Sequence, residues 1–316
     1  MSGKEWGLTP IIKIGKKEVD PNKKRWYEDV VNYAKIQEIA KDIKPAKVWI
    51  LDDTAIVTNS TLSPAVDEIW EFTTGTGTSG YHGHHVGGII ACTKYGIHSK
   101  IPVSMAKVLS DASGTGMIEW IVNGIKQGAI NGYELMNASM GSDFPAADIK
   151  TAIGNFLQNP KHFFIAAAGN DARETDYPAA WANEMQGLIA VGAIDKVTKN
   201  FTLKLADYSS SGVVTVVMPG TDIISTFPDE QYFEMSGTSM ATPFVTALLS
   251  ICKGINPDLN QETFVELLKK HSKSIDDNNL KDGYGFPDFV AIFEELKGLK
   301  IKPQQPKKKR GCRLFR

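Results

Sequence analysis

The sequence predicts an α/β protein in three layers, with a mostly parallel central sheet and helices on both faces. Two observations support this prediction. Apolar runs of strand length occur at 48–51, 101–109, 163–168 and 187–194, and segments with helical spacing occur at 117–129, 146–157 and 242–252. Continuous apolar strands that alternate with helices are typical of a parallel sheet covered on both faces.

The chain divides into three parts by composition. Residues 1–46 are charged and mixed, and we expect an N-terminal extension with a helix from Trp26 to Ile43, packed on the main domain. Residues 47–300 carry the alternating pattern and form the predicted main domain. Residues 301–316 are proline-rich and then basic, so we expect a flexible tail.

The composition argues against a nucleic-acid-binding or membrane protein. The 316 residues contain 35 Lys plus Arg against 36 Asp plus Glu, a balance that favours no polyanionic partner. No segment approaches the ~20 apolar residues that span a bilayer, and the N-terminus lacks a signal-peptide pattern. Cys92, Cys252 and Cys312 are far apart, which fits neither a disulfide framework nor metal-ligand spacing. We expect a cytoplasmic protein without a metal or cofactor.

A serine stands immediately before the predicted helix at 242–252. Residues 236–243 are SGTSMATP, and the apolar run FVTALLSIC follows. Ser239 would lie where free backbone N–H groups and the positive end of the helix dipole favour an anionic oxygen. Pro243 would fall in the first turn, where its missing donor is tolerated. The alternative is a serine that only caps the helix.

A histidine-rich segment, HGHHVGGII, occupies residues 82–90. Its paired glycines allow a helix to lie very close to another backbone. Zinc binding by His82 and His85, one helical turn apart, is the alternative, but no carboxylate or thiol completes a site in the local sequence. A nucleophilic serine needs a base, and His82 can supply it.

A third segment, AKVWILDD at 46–53, is a buried strand that ends in two carboxylates. Catalytic groups gather at the carboxyl ends of strands in open parallel sheets, so an acid there can orient an imidazole. The alternative is an aspartate that only caps the following turn.

The three segments together resemble the subtilisin family of serine proteases, over about residues 46–295. GTSMATP at 237–243 is similar to the family's nucleophile motif, HGHHVGGI at 82–89 to its histidine motif, and VWILD at 48–52 to its aspartate strand. Further similar stretches are MAKVLSDASGTG at 105–116, IEWIVNGI at 118–125, NASMG at 137–141, AAAGN at 166–170 and VVMPGTDIIST at 216–226. The order of Asp, His and Ser along the chain is also that of the family.

The resemblance implies a serine endopeptidase with the subtilisin-like fold and assigns roles to individual residues. Ser239 would be the nucleophile, His82 the general base, and an aspartate would orient the imidazole. Asn170 would donate to the oxyanion beside the Ser239 backbone N–H. A peptide or protein substrate would pair as an extended strand with two segments and place one side chain in a pocket; these regions comprise Ser113, Gly114, Gly116, Ser139, Met140, Gly141, Ala168 and Gly169. The small residues at 166–169 predict a roomy apolar pocket.

The sequence departs from the family pattern at three places. Either Asp52 or Asp53 could be the triad acid; we favour Asp52, because choosing Asp53 leaves an extra carboxylate in the buried strand. His84 stands where the family usually has threonine, and a second cationic imidazole would lower the basicity of His82. The connection from Cys92 to Gly96 is short and lacks evident oxygen ligands, so we predict no calcium site there.

The resemblance is nearest to intracellular subtilisins, whose short N-terminal extension can obstruct the cleft. LTPII at 8–12 is an apolar, extended counterpart, so we expect self-inhibition by these residues; an ordinary surface arm is the alternative. A catalytically inactive binding protein with the same fold is the main alternative function. An esterase is disfavoured because Ser239 lies in G-T-S-M-A rather than in G-x-S-x-G.

Overall fold

The structure, a computed structural model, describes residues 5–7, 19, 24–74, 80–110, 113–196, 202–275 and 283–301. Its strands are β1 (Glu5–Gly7), β2 (Val48–Asp52), β3 (Val66–Glu71), β4 (Val103–Lys107), β5 (Thr115–Met117), β6 (Leu135–Ala138), β7 (Phe163–Ala167), β8 (Leu188–Ile194), β9 (Val216–Pro219), β10 (Ile223–Thr226), β11 (Tyr232–Met235), β12 (Ser272–Lys273) and β13 (Phe286–Pro287). Its helices are α1 (Trp26–Val31), α2 (Tyr33–Ala40), α3 (Tyr81–Ala91), α4 (Ile118–Ile130), α5 (Ala147–Leu157), α6 (Thr238–Ile255), α7 (Gln261–His271) and α8 (Phe289–Ile301). The predicted segment 8–12 and residues 302–316 lie outside the described residues.

Seven strands form one central sheet in the order β3-β4-β2-β6-β7-β8-β9. Every neighbouring pair in this sheet is parallel. The four apolar runs of the sequence correspond to β2, β4, β7 and β8, so the predicted α/β class with a parallel sheet is confirmed. The strands β3, β6 and β9 complete the sheet.

The side chains of β2 show how the sheet separates two apolar cores. Val48 and Ile50 belong to the core that includes side chains of α3 and α6, whereas Trp49 and Leu51 belong to the core that includes α4 and α5. All four are fully buried. Successive strand residues point to opposite faces, so a fully apolar strand is what a sheet with two covered faces requires.

The predicted helix at 26–43 is two helices rather than one. Asn32 separates α1 from α2 with a left-handed backbone, φ 60° and ψ 49°. Asparagine tolerates this conformation better than other residues with a side chain, so the chain turns there at low cost. Tyr27, Val31 and Ile36 nevertheless join the core on the α6 side of the sheet.

Helix α6 runs through this core. It begins at Thr238, four residues before the predicted start, and includes Pro243. By length and composition alone it could cross a membrane, with 18 residues of mean hydropathy 1.2, but 94% of that window is buried inside the protein. It packs on β6, β7, β8 and β9.

Candidate active site

Three candidate site residues lie at one edge of the sheet. Asp52 ends β2, Ser139 directly follows β6, and Asn170 follows β7 by three residues. Because β2, β6 and β7 are parallel neighbours, their carboxyl ends meet at the same edge. The carboxyl edge of a parallel sheet is where such folds gather ligands and reacting groups.

Helix α3 brings His82 to this edge. The Nδ1 atom of His82 lies 2.8 Å from Oδ1 of Asp52, and both side chains are buried. An ionised carboxylate can only accept hydrogen bonds, so the proton of the neutral imidazole sits on Nδ1. The opposite ring nitrogen, Nε2, is then the basic one.

Asp53 accepts hydrogen bonds from the first turn of α3 and does not contact the His82 imidazole through a hydrogen bond. Its carboxylate accepts from the backbone N–H groups of Gly83, at 2.8 Å, and of His82, at 3.3 Å. These donors lie in the first helical turn, where N–H groups lack partners within the helix. Burial and the neighbouring charge of Asp52 raise the pKa of Asp53 to about 6, against the opposing effect of His82. The two adjacent aspartates therefore have different contacts.

The three histidines of α3 have different environments. Burial lowers the pKa of His82, but the charge and hydrogen bond of Asp52 outweigh it, so the pKa of His82 is raised overall. Burial lowers the pKa of His84, whose Nδ1 lies 2.9 Å from the Gly80 carbonyl. His85 contacts the Phe233 carbonyl, and burial lowers its pKa to about 3. Burial therefore works against a second positive charge at His84 beside His82.

Ser239 is the second residue of α6, which corrects the expectation that it precedes the helix. Pro243 consequently lies inside the helix, four residues after Ser239, and has no N–H for the Ser239 carbonyl. The hydroxyl of Ser139 donates to that carbonyl instead, at 2.9 Å. This bond explains why proline is tolerated beyond the first turn.

Ser139 and Ser239 are joined by two hydrogen bonds, each from the hydroxyl of one residue to the backbone carbonyl of the other. The hydroxyl of Ser239 donates to the Ser139 carbonyl at 3.1 Å, while its own carbonyl accepts from Ser139. Ser139 Oγ also accepts from the amide of Asn137, whose Oδ1 accepts from Thr246 in α6. All four side chains are buried, so this network fixes the nucleophile candidate against β6.

The side-chain amide of Asn170 has a defined orientation. Its Oδ1 accepts from the backbone N–H of Thr238 at 2.7 Å and from the Thr238 hydroxyl at 3.0 Å. Only the oxygen of an amide can accept from an N–H, so the NH₂ end points away from Thr238. Asn170 is therefore joined to the residue that precedes Ser239.

The predicted substrate segments border the same region. Gly116 lies in β5, preceded by Ser113 and Gly114, and β5 pairs with the N-terminal strand β1. Met140 and Gly141 follow Ser139, and Ala168 and Gly169 follow β7.

Sequence reasoning missed Asp176, a carboxylate that lies beside Gly141 and Gly169 of the predicted substrate segments. A Cβ on Gly169 would lie 2.5 Å from its Oδ2, and a Cβ on Gly141 would lie 3.0 Å from its Cβ. Asp176 is only 1% exposed. No local pattern marks this aspartate, because only the fold brings it between the two glycines.

The short connection from Cys92 to Gly96 does not fit a calcium ion. The carbonyl of Tyr95 accepts from Arg25 at 3.2 Å, and the single hydroxyl proton of Tyr33 is shared between the carbonyls of Tyr95, at 2.9 Å, and Gly96. Calcium needs several oxygen ligands, and here the carbonyls of Tyr95 and Gly96 already accept from side chains, one of which is the Arg25 cation. The N-terminal helices supply these donors.

Comparison with known proteins identifies what this chain is similar to in sequence. The chain is 30% identical over 207 residues to the major intracellular serine protease of Bacillus subtilis (strain 168), covering 60% of this chain and 62% of that protein. It is 33% identical to subtilisin Savinase of Lederbergia lenta, covering 63% and 72%, and 37% identical to a thermophilic serine proteinase of Bacillus sp. (strain AK1), covering 54% and 42%. The chain thus spans less than two thirds of the length of the Bacillus subtilis protease and of the thermophilic proteinase. The sequence model of the subtilase family matches residues 22–286. With this match over most of its length, the chain belongs to the subtilase family.

Proposed function

We propose that the protein is a serine endopeptidase in which Asp52, His82 and Ser239 form the catalytic triad. The buried 2.8 Å contact between His82 and Asp52 carries this proposal, because it selects the imidazole tautomer that a serine nucleophile requires. The contact also favours Asp52 over Asp53 as the triad acid. The relatives named as serine proteases support the reaction type.

The proposed reaction begins when the Ser239 hydroxyl leaves the Ser139 carbonyl and turns to Nε2 of His82. His82 takes the hydroxyl proton as Ser239 Oγ attacks the scissile carbonyl, and Asp52 stabilises the imidazolium. The proton then passes to the leaving amine, and the peptide is released from the resulting acyl-enzyme. Water, deprotonated by His82, hydrolyses the ester and restores Ser239.

Asn170 is the proposed side-chain donor to the oxyanion. Its Oδ1 accepts two hydrogen bonds from Thr238, so the NH₂ group points away from Thr238. The backbone N–H of Ser239 lies in the first turn of α6, where no carbonyl of the same helix can accept from it. Losing one donor of this kind typically costs about 10²- to 10³-fold in turnover, a magnitude measured in a subtilisin.

The test compares Ser239→Ala and His82→Ala with the unaltered protein in peptide hydrolysis and in labelling by a fluorophosphonate probe. Either change should remove nearly all hydrolysis, because the triad acts as a unit. His162→Ala is the control, since His162 precedes β7 at the opposite edge of the sheet. Absence of labelling and hydrolysis in the folded, unaltered protein would favour the alternative, an inactive binding protein.

We also propose that the N-terminal segment restrains activity. Strand β1 pairs antiparallel with β5 in the register Glu5 to Met117, Trp6 to Gly116 and Gly7 to Thr115. This is the strand that we expect to bind substrate, so β1 and substrate would compete for its backbone groups. Tethering gives such a segment a high effective concentration, about millimolar for a short linker. Residues 8–12, proposed from the sequence, directly follow β1.

A chain that begins at Lys17 tests this restraint. It should hydrolyse small peptides with a lower apparent KM than the full chain, and the free 1–16 peptide should inhibit it competitively. A scrambled 1–16 peptide is the control. Unchanged kinetics in a folded truncated chain would reduce the segment to a surface arm.

Two further proposals concern the cellular location of the protein and its domain boundaries. We propose a cytoplasmic location, supported by the name of the intracellular relative and by the free, buried thiols of Cys92 and Cys252. We propose a peptidase domain at 47–300, preceded by the extension 1–46 and followed by the tail 301–316. Cell fractionation tests the first proposal, and limited proteolysis with mass spectrometry tests the second.

A further inference from the structure

A buried carboxylate lies where the substrate side chain before the scissile bond is expected to bind. The side chain of Asp176 fits between Gly141 and Gly169, and a methyl group at either glycine would crowd or overlap it. The backbone N–H of Asp176 donates to the Ala168 carbonyl at 2.8 Å, which fixes it to the same segment. Gly169 is joined directly to Asn170, so the carboxylate lies beside the residue that precedes the proposed oxyanion donor.

Two buried side-chain oxygens beside Gly169, one from a carboxylate and one from a hydroxyl, have no hydrogen-bond partner among the described residues. Among the described residues, Asp176 Oδ2 and Ser210 Oγ are buried and form no hydrogen bond. A Cβ on Gly169 would lie within 2.8 Å of both atoms, so they face the same glycine. A buried carboxylate oxygen without a partner is costly, which indicates that a ligand with hydrogen-bond donors completes the site.

The surrounding charges favour a cation. Arg173 is about half exposed and is shared by three carboxylates, at 3.0 Å from Asp171 and 3.6 Å from both Asp143 and Asp176. A separation of 3.6 Å is too long for a hydrogen bond, so Arg173 does not satisfy Asp176. One guanidinium against three carboxylates leaves a formal charge of −2 when all are ionised.

We propose that Asp176 gives this protease a preference for substrates with arginine or lysine immediately before the scissile bond. Both side chains carry only donors at their ends and have long apolar stems, which suits the glycine walls and the two oxygens. The proposal rests on the proposed function, since it names the substrate class of that same site.

Binding to the Ser239→Ala protein tests the preference without hydrolysis. Two hexapeptides are compared by calorimetry at pH 8, Ala-Ala-Ala-Arg-Ala-Ala and the same peptide with neutral, isosteric citrulline for arginine. The arginine peptide should bind about 10²-fold more tightly, as expected for a charge that pairs with a buried carboxylate. Equal affinities with Asp176 intact would overturn the proposal, whether or not any variant folds.

Two variants locate the effect. Asp176→Asn should abolish the difference between the two peptides, whereas Asp171→Asn, which removes a more exposed carboxylate on the same Arg173, should preserve most of it. Loss of the preference in Asp171→Asn alone would also contradict the assignment, because it would place recognition at the surface cluster.

The preference should also depend on pH. Burial raises the pKa of Asp176 to about 6, Arg173 opposes this shift, and Asp171 and Asp143 add to it. Protonation removes the charge that attracts the cation, so the ratio of the two affinities should fall as the pH drops below about 6. A ratio that is constant from pH 8 to pH 5 would contradict a role for Asp176.

Hydrolysis separates this proposal from the proposed function. Cleavage of a peptide library after leucine or phenylalanine, with no preference for arginine or lysine, would refute the role of Asp176 and leave the protease assignment intact. A protein that binds the arginine peptide selectively but cleaves nothing would refute the protease assignment and leave the binding preference intact.

Discussion

Two adjacent aspartates that differ by one position in the sequence have separate tasks. Asp52 contacts the imidazole of His82, and Asp53 accepts from the first-turn N–H groups of α3. The sequence suggested this division through a desolvation argument, since four apolar strand residues precede Asp52 directly. It could not show that Asp53 caps a helix, because the contacts join residues 29 and 30 positions apart in the sequence.

Comparison of Asp52→Asn with Asp53→Asn tests this division. Asp52→Asn should lower turnover by a factor of order 10⁴, since an amide no longer fixes the proton on Nδ1. Asp53→Asn should keep most of the turnover and instead lower the free energy of unfolding, by about 1 kcal/mol for a weakened cap. Steady-state kinetics and urea denaturation measure the two effects. A greater loss of turnover in Asp53→Asn would exchange the two roles.

The pH dependence of activity follows from the raised pKa of His82. Below that pKa the imidazole is cationic and cannot take the Ser239 proton, so kcat/KM should rise with pH along a limb centred above pH 6.5. Asp53 contributes to the raised value, so Asp53→Asn should move this limb to lower pH. Profiles of kcat/KM from pH 5 to 9 measure it. A limb at pH 6 or below in the unaltered protein would contradict the shift.

At the scale of elements, the sequence predicts best what is fully buried. β2, β4, β7 and β8 were visible as continuous apolar runs. β3 was not, because five of its six residues are exposed at the sheet edge. The start of α6 was misplaced because Pro243 suggested a first turn, and the compensating bond from Ser139 comes from another strand. Asp176 was missed for a related reason, since its neighbours Gly141 and Gly169 are distant in sequence.

Removal of the Ser139 hydroxyl tests the hydrogen bond between the end of β6 and the first turn of α6. Ser139→Ala leaves the buried carbonyl of Ser239 without its donor, so the free energy of unfolding should fall by about 1–3 kcal/mol. Thr151→Ala, which removes an exposed helix hydroxyl, is the control and should stay within about 0.5 kcal/mol of the unaltered protein. Urea denaturation followed by circular dichroism measures both. Equal effects would show that another donor replaces Ser139.

At the scale of the whole molecule, the N-terminal helices stabilise a connection for which we predict no calcium. EDTA should change the melting temperature by less than about 1 °C, because we expect no bound ion for it to remove. A calcium ion present at 1,000 times its Kd would instead stabilise the fold by about 4 kcal/mol, and its removal would lower the melting temperature clearly. Arg25→Gln should lower the melting temperature, since it removes the donor to Tyr95. A large calcium-dependent rise would show that ligands come from other segments.

The placement of the proposed triad along the chain has a consequence for when the protein becomes active. Asp52 and His82 belong to the first third of the sequence, whereas Ser239 arrives with α6, after the last strand of the central sheet. During synthesis, a nascent chain that has not yet been extended beyond α6 has no folded nucleophile, although its acid and base are already made. Proteolysis by the proposed triad would therefore be delayed until α6 has left the ribosome and folded onto the sheet.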